Sequence, residues 1–77
     1  MSPADTIARE VRKIVDAEIG HDDINGRTLY ERVVAIVEKP LIETVLRLCD
    51  RNQTHAALAL GMNRNTLRKK MREYGIK

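Results

Sequence analysis

The sequence predicts an all-α fold of four helices, and three features carry that reading. Apolar residues recur at steps of three and four along most of the chain, and helix start and stop signals punctuate it. No stretch alternates apolar and polar residues as a half-buried strand would.

The first helix is expected to run from Pro3 to about Ile19. Ser2 is placed to cap it, Pro3 suits the first helical position because its missing N–H is not needed there, and Asp5 lies near the positive end of the helix dipole. Ile7, Ala8, Val11, Ile14, Val15 and Ile19 give one apolar face, and Gly20 is the natural stop. His21 to Gly26 reads as a polar connector. Thr28 and Glu31 then form the two ends of a capping box that restarts helix.

The second helix is expected from Leu29 to Cys49. Leu29, Val33, Ile36, Val37, Leu41, Val45 and Leu48 form a stripe, which Tyr30, Val34 and Ile42 widen beyond what a helix covered on one side needs. This helix is therefore expected to lie buried between neighbours. Pro40 should bend it rather than break it, because the stripe keeps its phase across Lys39-Pro40. A third helix is expected from Gln53 to Leu60, capped by Asn52 and ended by Gly61. A fourth runs from Arg64 to Tyr74, capped by Asn63 and ended by Gly75.

With 77 residues the chain is expected to form one compact domain, and a chain so short buries only about 60% of the surface its unfolded form exposes. Oligomerisation is the expected remedy. The longest uncharged apolar stretch, Ala56 to Met62, is far below the ~18 residues of a membrane span, and the charged start (Asp5, Arg9, Glu10) is unlike a signal peptide. A soluble cytoplasmic protein is the expectation. The single Cys49 closes no intrachain disulfide and is read as a small buried hydrophobe. His21 and His55 are read as exposed polar residues, so no metal and no cofactor are expected. No nucleophile with a base, no paired carboxylates and no phosphate-cradling loop point to an enzyme or a small-molecule substrate.

Charge is unevenly divided. Residues 1–50 hold 7 basic and 10 acidic side chains, whereas 51–77 hold 7 basic and 1 acidic, so the halves carry −3 and +6. That is the footprint of a polyanion-binding end, 51–77, joined to an end with another task, 1–50. The basic end has the form of a helix-turn-helix: two short helices around the turn Gly61-Met62-Asn63. Ala57 permits close approach, and Leu67 and Met71 give the second helix an inward face. Arg64, Arg68, Lys69 and Arg72 occupy the opposite face.

Asn52-Gln53-Thr54-His55-Ala56-Ala57, Gly61 through Met71, and Tyr74-Gly75 resemble the C-terminal signature of the Fis (factor for inversion stimulation) family, whose helix-turn-helix is shared by NtrC-type DNA-binding domains. Leu29-Tyr30-Glu31 and Val37-Glu38-Lys39-Pro40-Leu41 extend the resemblance to the long second helix. It implies a homodimer whose first two helices intertwine as the dimerisation half. The dimer would bind and bend double-stranded DNA as a transcriptional and nucleoid-associated factor. It further implies that Asn63 and Arg64 reach base edges, Arg64 bonding guanine O6 and N7 together. Asn52, Thr54, Thr66, Arg68, Lys69, Lys70 and Arg72 are implied as backbone contacts. Tyr74 is expected to pack against the helix-turn-helix. The family's N-terminal arm is not expected here, and neither is recombinase activation. Met1 followed at once by a helix start favours a complete small protein over a domain cut from an NtrC-type activator. The alternative class is a protein-interaction or RNA-binding helical dimer that has lost DNA binding.

Overall fold

The computed structural model describes residues 1–21 and 26–77; the middle of the expected connector, Asp22 to Asn25, lies outside the described residues. The chain is all-α, with α1 (Pro3–Glu18), α2 (Leu29–Leu48), α3 (Gln53–Leu60) and α4 (Arg64–Tyr74). It divides into two compact units, Met1–Ile36 and Val37–Lys77. The boundary of packing therefore falls inside α2, whereas the boundary of charge falls after it.

In the first unit the helix starts are held by local chemistry. Ser2 Oγ accepts from the Asp5 N–H at 3.2 Å while the Asp5 carboxylate accepts from the Ser2 N–H at 3.2 Å, so two amides that a helix start leaves orphaned are satisfied reciprocally. Thr28 and Glu31 repeat the device at α2, at 3.1 and 3.3 Å. The C-terminal end of α1 has no cation of its own in the last turn. Arg32 supplies one: its guanidinium donates to the carbonyls of Glu18 (3.2 Å), His21 (3.3 Å) and Arg27 (3.1 Å). This places positive charge at the negative end of the dipole. Arg32 Nε also lies 3.5 Å from the Glu18 carboxylate, near enough for charge attraction though outside hydrogen-bond geometry.

No residue of α1 is buried. Its apolar face was expected from the spacing, and the described residues cover it only in part: Ile7 and Ile19 are exposed, and Val11, Ile14 and Val15 half-buried.

The core lies in the second unit. Ile42 and Leu46 of α2 meet Ala56 and Ala57 of α3 and Leu67 and Met71 of α4, with Val45, Cys49, Leu60, Met62, Tyr74 and Ile76 packed around them. Cys49 is thus a half-buried apolar filler, as expected, and Tyr74 packs against the helix-turn-helix. The paired alanines let α3 sit close to its neighbours.

Two features of α2 depart from the sequence expectation. The helix ends one residue earlier, at Leu48, although Pro40 leaves it unbroken as expected. Pro40 offers no N–H to the Ile36 carbonyl, a loss made tolerable because both residues are exposed and water can take the free acceptor. The second departure is larger. Of the expected stripe, Ile36, Val37, Leu41 and Leu48 are exposed, while the fully buried residues are Ile42, read only as a widening position, and Leu46, which the stripe omits. Within the described residues, α3 and α4 cover one flank of α2, and of its principal apolar stripe only Val45 joins the core while Ile36, Val37, Leu41 and Leu48 stay exposed.

The ends of α2, α3 and α4 share one construction. In each, the amide five residues after a carbonyl returns to it: Arg51 to Leu46 (2.8 Å), Met62 to Ala57 (3.0 Å) and Ile76 to Met71 (2.8 Å). Such closure needs a left-handed residue just past the helix. Gly61 and Gly75 supply it at φ +74° and +66°. After α2 the same geometry is held by Asp50 (φ +53°) and Arg51 (φ +65°), side-chain-bearing residues at which this conformation is strained.

No described helix is long and apolar enough to cross a membrane.

Candidate nucleic-acid interface

Two capped helix starts and one helix face make up the site. Asn52 accepts from the His55 N–H at 3.1 Å and starts α3; Asn63 accepts from the Asn65 N–H at 2.7 Å and starts α4. The three-residue turn Gly61-Met62-Asn63 joins them, and Met62 folds against the core. Ala57 of α3 and Leu67 of α4, 3% and 0% exposed, are both buried in the core, as the spacing predicted.

α4 is strictly two-faced. Leu67, Met71 and Tyr74 point inward at steps of four and three. Arg64, Arg68 and Arg72 follow one another at steps of four along an exposed ridge, and Asn65, Thr66 and Lys69 are exposed beside it. Among the described residues no ion pair or hydrogen bond engages the side chains of Arg64, Arg68, Lys69 or Arg72. These cations are unneutralised, and Glu73 is the one acid in residues 51–77.

The structure also brings the α4 ridge to the start of α3. Arg68 and Arg72, with Gln53, Met71, Ile76 and Lys77, line an open concavity of about 280 Å³. Gln53 stands between Asn52 and Thr54, so the basic ridge and the first turn of α3 meet at this cleft. Both Asn52 and Thr54 are exposed. The returning C-terminal segment is fixed by Arg51, whose guanidinium donates to the Lys77 carbonyl at 2.8 Å. Sequence reasoning missed Gln53 and Lys77 as lining residues; the position of Gln53 between two candidate contacts was the available signal.

Lys70 is placed differently from the other basic residues of α4. Its ammonium donates to Glu38 Oε1 at 2.8 Å, and the Tyr74 hydroxyl donates to the same oxygen at 2.8 Å. Lys70 and Glu38 side chains are 29% and 18% exposed. The Lys70 hydrogen bond, reinforced by that of Tyr74 and by the Lys70 charge, holds the Glu38 carboxyl below its ordinary value against the opposing effect of burial. Glu38 carried no signal in the sequence, since 32 residues separate it from Lys70.

Chemically, an exposed, helix-borne ridge of guanidinium and ammonium groups beside two helix N-termini is suited to a chain of phosphates, with amide and guanidinium groups at the tip of α4 suited to base edges.

Comparison with known proteins agrees with this geometry. Residues 33–74 match the profile described as bacterial regulatory protein, Fis family. The DNA-binding protein Fis of Escherichia coli O1:K1 is 48% identical over 60 residues, which are 78% of this chain and 59% of that protein. The DNA-binding proteins Fis of Klebsiella pneumoniae and Cronobacter sakazakii match with the same identity and coverage, 48%, 78% and 59%. The matched segment thus spans about three fifths of the length of these curated relatives.

Proposed function

This chain belongs to the Fis family of bacterial regulatory proteins, and on that premise we propose that it is a homodimeric, sequence-preferring DNA-binding and DNA-bending protein. Its role is that of a transcriptional regulator and nucleoid-associated factor in the cytoplasm. The observation that carries the reading is the unneutralised ridge of Arg64, Arg68 and Arg72 on the second helix of a helix-turn-helix. Asn63 and Arg64, at the N-terminal tip of α4, take the base-contacting role, Arg64 towards guanine. Asn52, Thr54, Thr66, Arg68, Lys69 and Arg72 hold phosphates; Lys70, which the family resemblance adds to them, is bound up with Glu38.

The homodimer is supported by surface that one chain leaves bare. Ile36, Val37 and Leu41 of α2 are 50%, 44% and 49% exposed, and no residue of α1 is fully buried. A second copy presenting the same faces closes both by symmetry. Two recognition helices fixed on one dimer impose their own spacing on the duplex, and where that spacing is shorter than a helical turn the DNA bends. Sequence preference then includes deformability.

The test is a gel-shift titration with circularly permuted duplexes at two salt concentrations, beside sizing of the free protein. A dimer whose complexes migrate according to site position is the expected result. Binding without a position effect would reduce the reading to a plain helix-turn-helix regulator. Absence of binding at low salt would overturn it in favour of a helical interaction module.

A further inference from the structure

We propose that Glu38 is a positioning residue for nucleic-acid binding: it withholds Lys70 from the phosphate backbone and uses that ammonium, with the Tyr74 hydroxyl, to fix α4 against α2. The inference rests on the DNA-binding reading above.

Three observations converge on it. Lys70 and Tyr74 are one helical turn apart on α4, and both donate to the same carboxylate oxygen at 2.8 Å. The pair is largely shielded, with 29% of the Lys70 side chain and 18% of the Glu38 side chain exposed, whereas Lys69, the next residue along α4, is exposed and engaged with nothing described. Finally, residues two apart on an α-helix are separated by about 200° around its axis. Lys70 therefore points away from Arg68, on the flank that carries Leu67 and Tyr74 inward. A charge-assisted hydrogen bond between shielded groups is about twice as strong as a neutral one and is not surrendered readily to a solvated phosphate.

The consequence is a division of labour between adjacent lysines: Lys69 belongs to the polyanion, Lys70 to the fold. It also ties the orientation of α4 to α2, the helix that carries the largely exposed apolar stripe.

The deciding quantity is the slope of log affinity against log salt, which counts the phosphates neutralised and which a purely structural role does not move. Lys69→Ala is expected to lower that slope by about one. The double variant Glu38→Gln/Lys70→Gln removes one charge of each sign, keeps the total charge, and is expected to leave the slope unchanged while lowering the melting temperature. Glu38→Gln alone releases the Lys70 ammonium. It is expected to steepen the slope by about one and to strengthen low-salt binding to preferred and random duplexes alike, by about threefold over a fourfold fall in salt. A slope that falls by one in the double variant, as in Lys69→Ala, would overturn the proposal and make Lys70 a phosphate ligand. A Glu38→Gln slope equal to that of the unaltered protein would overturn it as well. Should Glu38→Gln melt below the assay temperature, the double variant decides alone. Failure of the unaltered protein to bind duplex at low salt would remove the DNA reading and this proposal together, whereas a wrong slope in a protein that binds removes this proposal only.

Discussion

Arg64 is the first residue of α4, exposed, and held at the tip of the helix by the Asn63 cap behind it. Arg64→Ala is expected to cost about 1 to 3 kcal/mol on a preferred site and to flatten discrimination between sites, because a bidentate guanidinium contact carries sequence information that a phosphate contact lacks. Competition titrations with preferred and scrambled duplexes check this; equal losses on both would remove Arg64 from the base-reading role. Glu38 makes a different kind of prediction. Its carboxyl is held below the ordinary value in the folded chain, chiefly by the Lys70 hydrogen bond. The contribution of the pair is then fully present above the ordinary glutamate range and fades as acid carries the pH down through the folded value. Denaturant melts should show a stability advantage over Glu38→Gln of about 1 kcal/mol at neutral pH, discounted for partial exposure, that is constant to mild acidity and vanishes in stronger acid. An advantage that grows on acidification would contradict the pairing.

At the scale of elements, the helix-turn-helix depends on how α3 stops. Gly61 sits at φ +74° with open space where a Cβ would stand, so a substitution there meets conformational strain and no clash. Gly61→Ala is expected to destabilise the second unit by about 1 kcal/mol, read as a fall in the thermal midpoint. All four helices were legible in the sequence because their ends are written locally. Ser2 with Asp5, Thr28 with Glu31, Asn52 and Asn63 each act within three residues, and the structure finds each cap made. The stop after α2 was less legible, since Asp50 and Arg51 hold a left-handed turn without the glycine that would announce it. The buried flank of α2 was misread for another reason. Periodicity reveals that a helix has an apolar stripe but not which neighbour covers it, and here Ile42 and Leu46, with only Val45 of the main stripe beside them, meet α3 and α4. The Glu38, Lys70 and Tyr74 cluster was invisible because it is assembled by packing across 32 and 36 residues. Of the candidate interface, the basic ridge of α4 was readable from spacing and the contact roles at the two helix starts only from the family resemblance, whereas the separate fate of Lys70 was readable from neither.

For the molecule as a whole, the proposed homodimer would make stability a function of concentration. If pairing of two chains buries α1 and the bare flank of α2, the thermal midpoint must rise with protein concentration, since mass action then favours the folded, associated state. A midpoint independent of concentration over a hundredfold range would contradict the homodimer. Burial of the same bare faces in such a pair would enlarge the core of a 77-residue chain whose buried residues all lie in its second unit.

The bareness of α1 also fixes how fast its amides meet solvent isotope. A 16-residue helix with no buried side chain is guarded, in a lone chain, by little more than the helix–coil equilibrium, which is marginal at that length in water. Deuterium should therefore enter α1 rapidly from a dilute chain, while Leu67 and Met71 of α4 stay protected by the core. As pairing proceeds, α1 should slow towards the exchange rate of α4, so the ratio of the two rates serves as a gauge of how many chains have found a companion.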